Sequence, residues 1–153
     1  MSASSSVAVQ EIEAVAEGMG VVVSVADVMT RLEGTVGFEA ISRQEVPERI
    51  ATLRDAILTV LGDYMTMTQE GAAGLTNRLQ GQGVLPMWTI YDHPTDYPDG
   101  FIARLCLTLP SLRMTRNVMV AETLVALRSR LPLGLVCLAR APDDDKTIVE
   151  TWL

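Results

Sequence analysis

The sequence has few of the residues from which metal centres and nucleophilic active sites are built. Among its 153 residues there are two cysteines and a single histidine. Cys106 and Cys137 have neither a second cysteine nor a histidine at ligand spacing, which excludes a zinc site of the Cys/His type. Both lie in apolar stretches, so we expect buried free thiols. No glycine-rich phosphate-binding motif is present, and we expect neither a metal nor any other cofactor.

Long apolar runs are missing as well. No stretch of about 18 apolar residues occurs, so we expect neither a membrane-spanning helix nor a membrane partner. The first six residues, Met-Ser-Ala-Ser-Ser-Ser, lack the basic start and the apolar block of a secretion signal. This favours a cytoplasmic location.

Positive charge is scarce. The chain has 12 basic and 19 acidic residues and a net charge of −7. Residues 1–83, with five arginines against eleven acids, carry −6 of that charge. Because an acidic chain repels a phosphate backbone, direct binding of nucleic acid is disfavoured.

The apolar spacing changes from a helical period to a two-residue alternation at Gly-Gln-Gly, residues 81–83. We therefore predict an acidic helical part at 1–80, a hinge at 81–86 and a small α+β domain at 87–153. Within the helical part, Ser24 is predicted to cap a helix, and residues 34–42 are predicted to form a loop or a short hairpin.

The longest predicted helix begins at Pro47, and its apolar stripe extends over residues 48–69. The stripe consists of Ile50, Leu53, Ile57, Leu58, Leu61, Tyr64 and Met65. Because burial of one Leu or Ile is worth about 1.5–3 kcal/mol, the stripe needs a covering surface. Two alternatives remain for burying this stripe. It packs against other parts of the same chain, or it packs against a second copy in a homo-oligomer formed through residues 48–69.

The predicted fold class is α+β, with a helical N-terminal part followed by a ββαββ domain whose sheet is mostly antiparallel. Trp88 and Ile90 are predicted to share one face of the first strand. Asn117 is predicted to cap the helix of this domain, which ends before Pro132. The strands are predicted at Met87–Tyr91, Phe101–Leu109, Leu133–Ala139 and Thr147–Leu153.

One group of sequence features resembles a known set of proteins. Residues 88–98 read Trp-Thr-Ile-Tyr-Asp-His-Pro-Thr-Asp-Tyr-Pro, and Phe-Ile-Ala-Arg follows at 101–104. Leu-Pro-x-Gly-Leu occurs at 131–135, three aspartates at 143–145, and Ile-Val-Glu-Thr-Trp-Leu at 148–153. Over residues 87–153 these features resemble a group of small bacterial and phage-associated proteins without an assigned activity. The resemblance implies a phage or mobile-element setting, in which small acidic proteins often bind host machinery, and it implies no catalytic role.

The loop from Asp92 to Gly100 has the most unusual composition, with three aspartates, one histidine and two prolines. It has three interpretations. In the structural one, Asp92 and Asp96 accept backbone N–H groups within a turn that the prolines stiffen, and Tyr91 and Tyr97 pack beside Trp88. In the second, the prolines stiffen a loop that binds a partner protein at low entropic cost. In the third, His93 is a general base or a metal ligand that Asp92 or Asp96 orients.

The second interpretation defines the candidate partner-binding residues. They are Tyr91, Asp92, His93, Asp96, Tyr97 and Asp99. A second acidic segment, Asp143 to Asp145, is predicted to be a solvated turn, because three adjacent aspartates point in different directions and lack the spacing of a calcium loop.

These observations favour a non-enzymatic protein-binding accessory protein. Together with the resemblance, the charge suggests an inhibitor of a bacterial defence complex, of the anti-CRISPR kind, whose carboxylates compete with nucleic acid for a basic groove. One alternative is a phage assembly component that oligomerises through residues 48–69. The other is a small hydrolase that uses His93 with Asp92 or Asp96.

Overall fold

The structure, a computed structural model, describes residues 3–34, 47–62, 65–108 and 112–153; the side chains of residues 3–6 and 47–50 are not described. The predicted loop or short hairpin beyond residue 34 and Tyr64 of the predicted stripe lie outside these residues. Helices and a β-sheet are both present, so the α+β class is confirmed.

The chain divides into two compact units, one up to Met65 and the other from Thr66 to Leu153. This division falls earlier than the predicted hinge at 81–86. The reason is the helix from Gln69 to Gly81, which belongs to the second unit.

The described part of the first unit consists of helices. They are α1 (Ala3–Met19), α2 (Val25–Glu33) and α3 (Pro47–Leu61). Ser24 caps α2 as predicted, since its hydroxyl accepts the Asp27 N–H at 3.4 Å. The helices share one core, in which side chains from all three are buried.

Helix α3 is shorter than the predicted 48–69 helix. It ends at Leu61, and Gly62 follows with φ of 58°, a left-handed conformation that glycine adopts without strain. Leu53, Ile57 and Leu61 are almost fully buried in the core of this unit. The described part of the stripe is therefore covered within the chain, apart from Leu58, which is exposed.

The second unit contains a sheet and two helices among its described residues. The elements are β1 (Met65–Thr66, at the boundary of the units in the sequence), α4 (Gln69–Gly81), β2 (Pro86–Asp92), β3 (Phe101–Leu107), β4 (Arg113–Ala121), α5 (Leu124–Arg130), β5 (Cys137–Ala139) and β6 (Ile148–Trp152). The strand order is β1-β4-β3-β2-β6-β5. The pairs β2·β3, β2·β6, β3·β4 and β5·β6 are antiparallel.

The structure contains a strand, β4, that the predicted ββαββ order does not include. Asn117 to Ala121, predicted as the start of a helix, form the end of this strand, where Arg104 pairs with Val118 and Ala103 with Met119. The helix begins later, and Thr123 caps it by accepting the Ala126 N–H at 3.2 Å. Cross-strand pairing with β3 overrides the helical spacing of Val118 and Ala121.

The two faces of the sheet differ in what they contact. Trp88 and Ile90 share one face, as predicted, and both are fully buried. Helix α4 packs on this face, where the Trp88 indole N–H donates to the Thr76 hydroxyl at 3.3 Å. Tyr91 lies on the opposite face because side chains alternate along a strand. The interpretation that placed Tyr91 beside Trp88 is therefore wrong.

Candidate functional site

The β2–β3 loop, residues 93–100, is fixed by backbone contacts. Its ends are joined by the His93 N–H, which donates to the Gly100 carbonyl at 2.9 Å. Inside the loop, the Tyr97 N–H donates to the Pro94 carbonyl at 3.0 Å. His93 has φ of 45°, which is unusual for a residue other than glycine. These contacts define one conformation for a loop rich in acidic and aromatic side chains.

The β5–β6 loop, residues 140–147, is also held by its own side chains. An Asp144 oxygen accepts the Ala141 N–H at 2.8 Å, and Asp145 Oδ1 accepts the Thr147 N–H at 2.8 Å and its hydroxyl at 2.7 Å. The bonds from the Thr147 hydroxyl and N–H lower the pKa of Asp145 below its usual value. Asp145 is therefore ionised at neutral pH, and Asp143 to Asp145 form an exposed turn as predicted.

The two loops adjoin at one end of the sheet. Strand β2 lies beside β6, and past the paired residues the Asp92 N–H donates to the Thr147 carbonyl at 2.7 Å. All six aspartates of residues 66–153 lie at this end, in Asp92–Asp99 and Asp143–Asp145. Against them the two loops contain Arg140 and Lys146, which leaves a net charge of −4 with His93 neutral.

Arg104 on β3 connects the first loop to the face of the sheet opposite Trp88. Its guanidinium donates to both oxygens of Asp96, at 2.6 and 2.7 Å, and lies 5.0 Å from the centre of the Tyr91 ring. The Arg104 side chain is only 16% exposed, whereas that of Asp96 is 43% exposed. Asp96 thus binds the Arg104 side chain.

These groups line a hollow of about 410 Å³ on the Tyr91 side of the sheet. Both loops contribute to its walls. Its lining includes Tyr91, Asp96, Arg104, Met114, Asp145 and Thr147. Burial raises the pKa of the Tyr91 hydroxyl, the charges of Asp145 and Asp144 raise it further, and Arg104 opposes them. Tyr91 therefore presents a neutral phenol ring to the hollow.

The structure separates the six predicted site residues. Tyr91 and Asp96 line the hollow. Asp92 and His93 form an exposed pair with each other, and the His93 ring packs edge-on against Phe101 at 5.3 Å between centres. Tyr97 borders a different hollow, beside Val120 and Arg130. Asp99 is exposed in the same loop.

The sequence reasoning missed the residues that complete the hollow. Arg104 could have been identified most easily, because it is the one charged residue in the apolar strand Phe-Ile-Ala-Arg-Leu-Cys-Leu. A charged residue in such a strand must have a polar partner if it is not exposed. Asp145 and Thr147 gave no comparable signal, since their proximity to Tyr91 depends on the pairing of β2 with β6.

The cysteines are both free, but their surroundings differ. Cys106 is buried as predicted, and burial raises the pKa of its thiol. Cys137 is exposed, so the prediction of a buried thiol is wrong for it: β5 is an edge strand of the sheet, and its residues are exposed. The Cys137 thiol donates to Glu150 at 3.0 Å.

Two features are absent from the part of the chain that the structure describes. Within residues 3–34, 47–62, 65–108 and 112–153, no group of three or more His, Cys, Asp or Glu side chains is placed to hold a metal ion. Across the same ranges, no helix has both the length and the apolar character needed to cross a membrane.

Comparison with known proteins adds no assignment. Neither a protein-family model, nor a curated protein, nor a solved structure matches this chain.

Proposed function

We propose that this chain is a non-enzymatic, cytoplasmic accessory protein that binds a partner protein through the acidic end of its sheet. The observation that carries the proposal is the meeting of the two loops at the Asp92–Thr147 hydrogen bond, which brings six aspartates together. Their carboxylates form a surface complementary to a basic groove, and such complementarity raises the rate and the specificity of association.

The partner that fits best is a protein that normally holds nucleic acid. Carboxylates on fixed loops imitate the spaced negative charges of a phosphate backbone, while the net charge of −7 keeps nucleic acid itself away. Residues 87–153 also resemble small bacterial and phage-associated proteins. Together with the acidic surface, this resemblance supports a phage or mobile-element protein that inhibits a bacterial defence complex.

The alternatives have less support. The hydrolase hypothesis requires His93 in a cleft, but this side chain is about half exposed and does not line the Tyr91 hollow. The oligomer hypothesis requires an uncovered stripe on residues 48–69, but Leu53, Ile57 and Leu61 are buried in the first unit.

A matched pair of triple variants tests the proposal. The loop variant carries Asp99→Asn, Asp143→Asn and Asp144→Asn, which neutralise exposed acids outside the hollow. The control carries Glu13→Gln, Glu17→Gln and Glu33→Gln, which remove the same charge from exposed helical positions of the first unit. Each chain is immobilised and exposed to a bacterial lysate at about 50 mM and about 500 mM salt, because exposed charges are screened at high salt.

We expect the wild-type chain and the control to capture the same partner at low salt and to release it at high salt. The loop variant is expected to retain about tenfold less of it. A short DNA or RNA duplex added at low salt should displace the partner. The proposal fails if no salt-sensitive partner is captured, or if the loop variant captures as much as the control.

A further inference from the structure

Strand β5 is an edge of the sheet whose outer backbone groups face away from the molecule. Next to it, the Val136 N–H donates to the Leu153 carbonyl at 2.8 Å, and the Leu153 N–H donates to the Val136 carbonyl at 2.9 Å. Because inward and outward groups alternate along an antiparallel strand, the N–H and C=O groups of Cys137 and Ala139 point away from β6. Among the described residues, the strand order places no further strand beyond β5.

This edge lacks the features that usually keep sheet edges apart. Natural edges are blocked by charged side chains, by proline or by bulges. Residues 136–139 read Val-Cys-Leu-Ala, and β5 pairs with β6 without a shift of register. Val136 and Leu138 lie on one face of the strand and are 63% and 47% exposed. The edge therefore offers backbone hydrogen bonds and apolar side chains together.

The edge is complementary to itself. When two β5 strands pair antiparallel with the two-fold axis at Leu138, Cys137 of each copy lies opposite Ala139 of the other. The outward groups of these residues then form about four hydrogen bonds, and none of them is left over. Leu138 meets the same residue of the second copy across the axis, so its exposed surface is covered.

The charges near β5 also suit this pairing, although the chain carries −7 in total. In an antiparallel pair, the residues that follow β5 in one copy lie at the same end as those that precede it in the other. Residues 140–147 contain three aspartates against one arginine and one lysine, whereas residues 124–136 contain two arginines and no acid. Opposite charges thus lie at the same end, and the two acidic turns lie on opposite sides of the axis.

We infer that a second copy of this chain pairs with β5 edge to edge, so that the two six-stranded sheets become one continuous sheet. The inference goes beyond the proposed function and does not involve the apolar stripe at residues 48–69. Because the paired strands are short, the interface is small, and we expect a dimer with a Kd of about 10–100 µM.

Sedimentation equilibrium of the full chain between about 1 and about 300 µM measures this association. Leu138→Lys puts like charges opposite each other across the axis and should weaken the dimer by about tenfold or more. Leu112→Lys is the matched control, because this exposed leucine precedes β4 on the other side of the sheet. It should dimerise like the wild type, and near-UV circular dichroism reports whether each variant is folded.

Disulfide cross-linking tests the register. Leu138→Cys, made together with Cys137→Ser, brings two thiols to a non-hydrogen-bonded pair whose Cα atoms are about 4.5 Å apart, which suits a disulfide. Under mild oxidation we expect this double variant to form a covalent dimer. In the wild type, Cys137 lies opposite Ala139 of the second copy, so it should cross-link about tenfold more slowly.

A wild-type chain that stays monomeric at about 300 µM would overturn the inference. A dimer that Leu138→Lys leaves unchanged, that Leu112→Lys abolishes, or that cross-links equally well through Cys137 would also overturn it. If Leu138→Lys does not fold, the cross-linking of the double variant decides.

Discussion

Glu150, in the middle of β6, is a nearly buried carboxylate that three side chains hold. Its residue surface is 4% exposed, and it accepts hydrogen bonds from Arg128, from the Cys137 thiol at 3.0 Å and from the Trp152 indole at 2.6 Å. Burial acts to raise its pKa, but the hydrogen bonds from Arg128, Cys137 and Trp152 outweigh it, so the pKa of Glu150 lies below its usual value.

The first prediction concerns Glu150→Gln. A carboxylate whose pKa is lower in the folded chain contributes stability above its unfolded pKa, about 4.3, and loses it as the pH falls through the folded value. We expect the variant to lower the free energy of unfolding by about 1.5–3 kcal/mol at pH 7, since it removes hydrogen bonds to a charged group. The difference should shrink as the pH falls below about 4.

Urea unfolding of both proteins between pH 7 and pH 3 measures this difference. Glu122→Gln, at an exposed position after β4, serves as the control and should unfold like the wild type. A difference that stays constant across the whole pH range would show that the ionised carboxylate contributes nothing and that the variant acts through packing alone.

At the scale of elements, the conformation of the β2–β3 loop depends on Gly100. A Cβ at this position would lie 2.6 Å from the carbonyl oxygen of Ala121, a backbone atom of the neighbouring strand β4. Gly100 therefore allows the loop to close against β4, which fixes the position of Asp96 relative to Arg104.

The second prediction is that Gly100→Ala destabilises the protein by about 1–3 kcal/mol, the usual cost of forcing atoms into a packed site. Gly74→Ala is the matched control: a Cβ there would meet nothing within 4 Å, and the residue lies inside α4. We expect this control to be more stable by about 0.5–1 kcal/mol, because glycine is unfavourable within a helix. Thermal unfolding of both variants checks the two signs, and a loss of stability in neither would contradict the role of Gly100.

The elements that the sequence predicted well are those whose signals are local. Ser24 caps α2, and the Pro47 position starts α3, because capping and the fixed φ of proline act within a few residues. The errors had two causes, a distant pairing partner in one case and a neighbouring glycine in the other. Val118 to Ala121 have helical spacing but pair with β3, and the end of α3 follows from Gly62, whose left-handed conformation the apolar stripe did not reveal.

At the scale of the molecule, the candidate site could be predicted only in part. The acidic loop with Tyr91 and Asp96 was identified from composition alone. Its second wall could not be, because Asp145 and Thr147 lie some 50 residues further along the chain and reach the hollow through the order of the strands. Composition identifies residues suited to binding, whereas topology decides which of them form one surface.

Topology also places the boundary between the units, and the last prediction tests that boundary. Helix α4 buries Ala72, Leu75 and Leu79, and its Thr76 accepts the hydrogen bond from the Trp88 indole. A fragment of residues 66–153 keeps these contacts, whereas a fragment of residues 84–153, cut at the predicted hinge, loses them. Each lost leucine forfeits about 1.5–3 kcal/mol, a large share of the 5–15 kcal/mol that stabilises an ordinary domain.

We therefore expect residues 66–153 to unfold cooperatively in urea, with a blue-shifted tryptophan emission that moves to longer wavelength on unfolding. Residues 84–153 should show no cooperative transition, and their emission should be that of solvated tryptophan from the start, because Trp88 loses its cover. If the shorter fragment folds as stably as the longer one, α4 is not part of the second unit's core. The boundary would then lie near residue 81, where the change in apolar spacing predicted it.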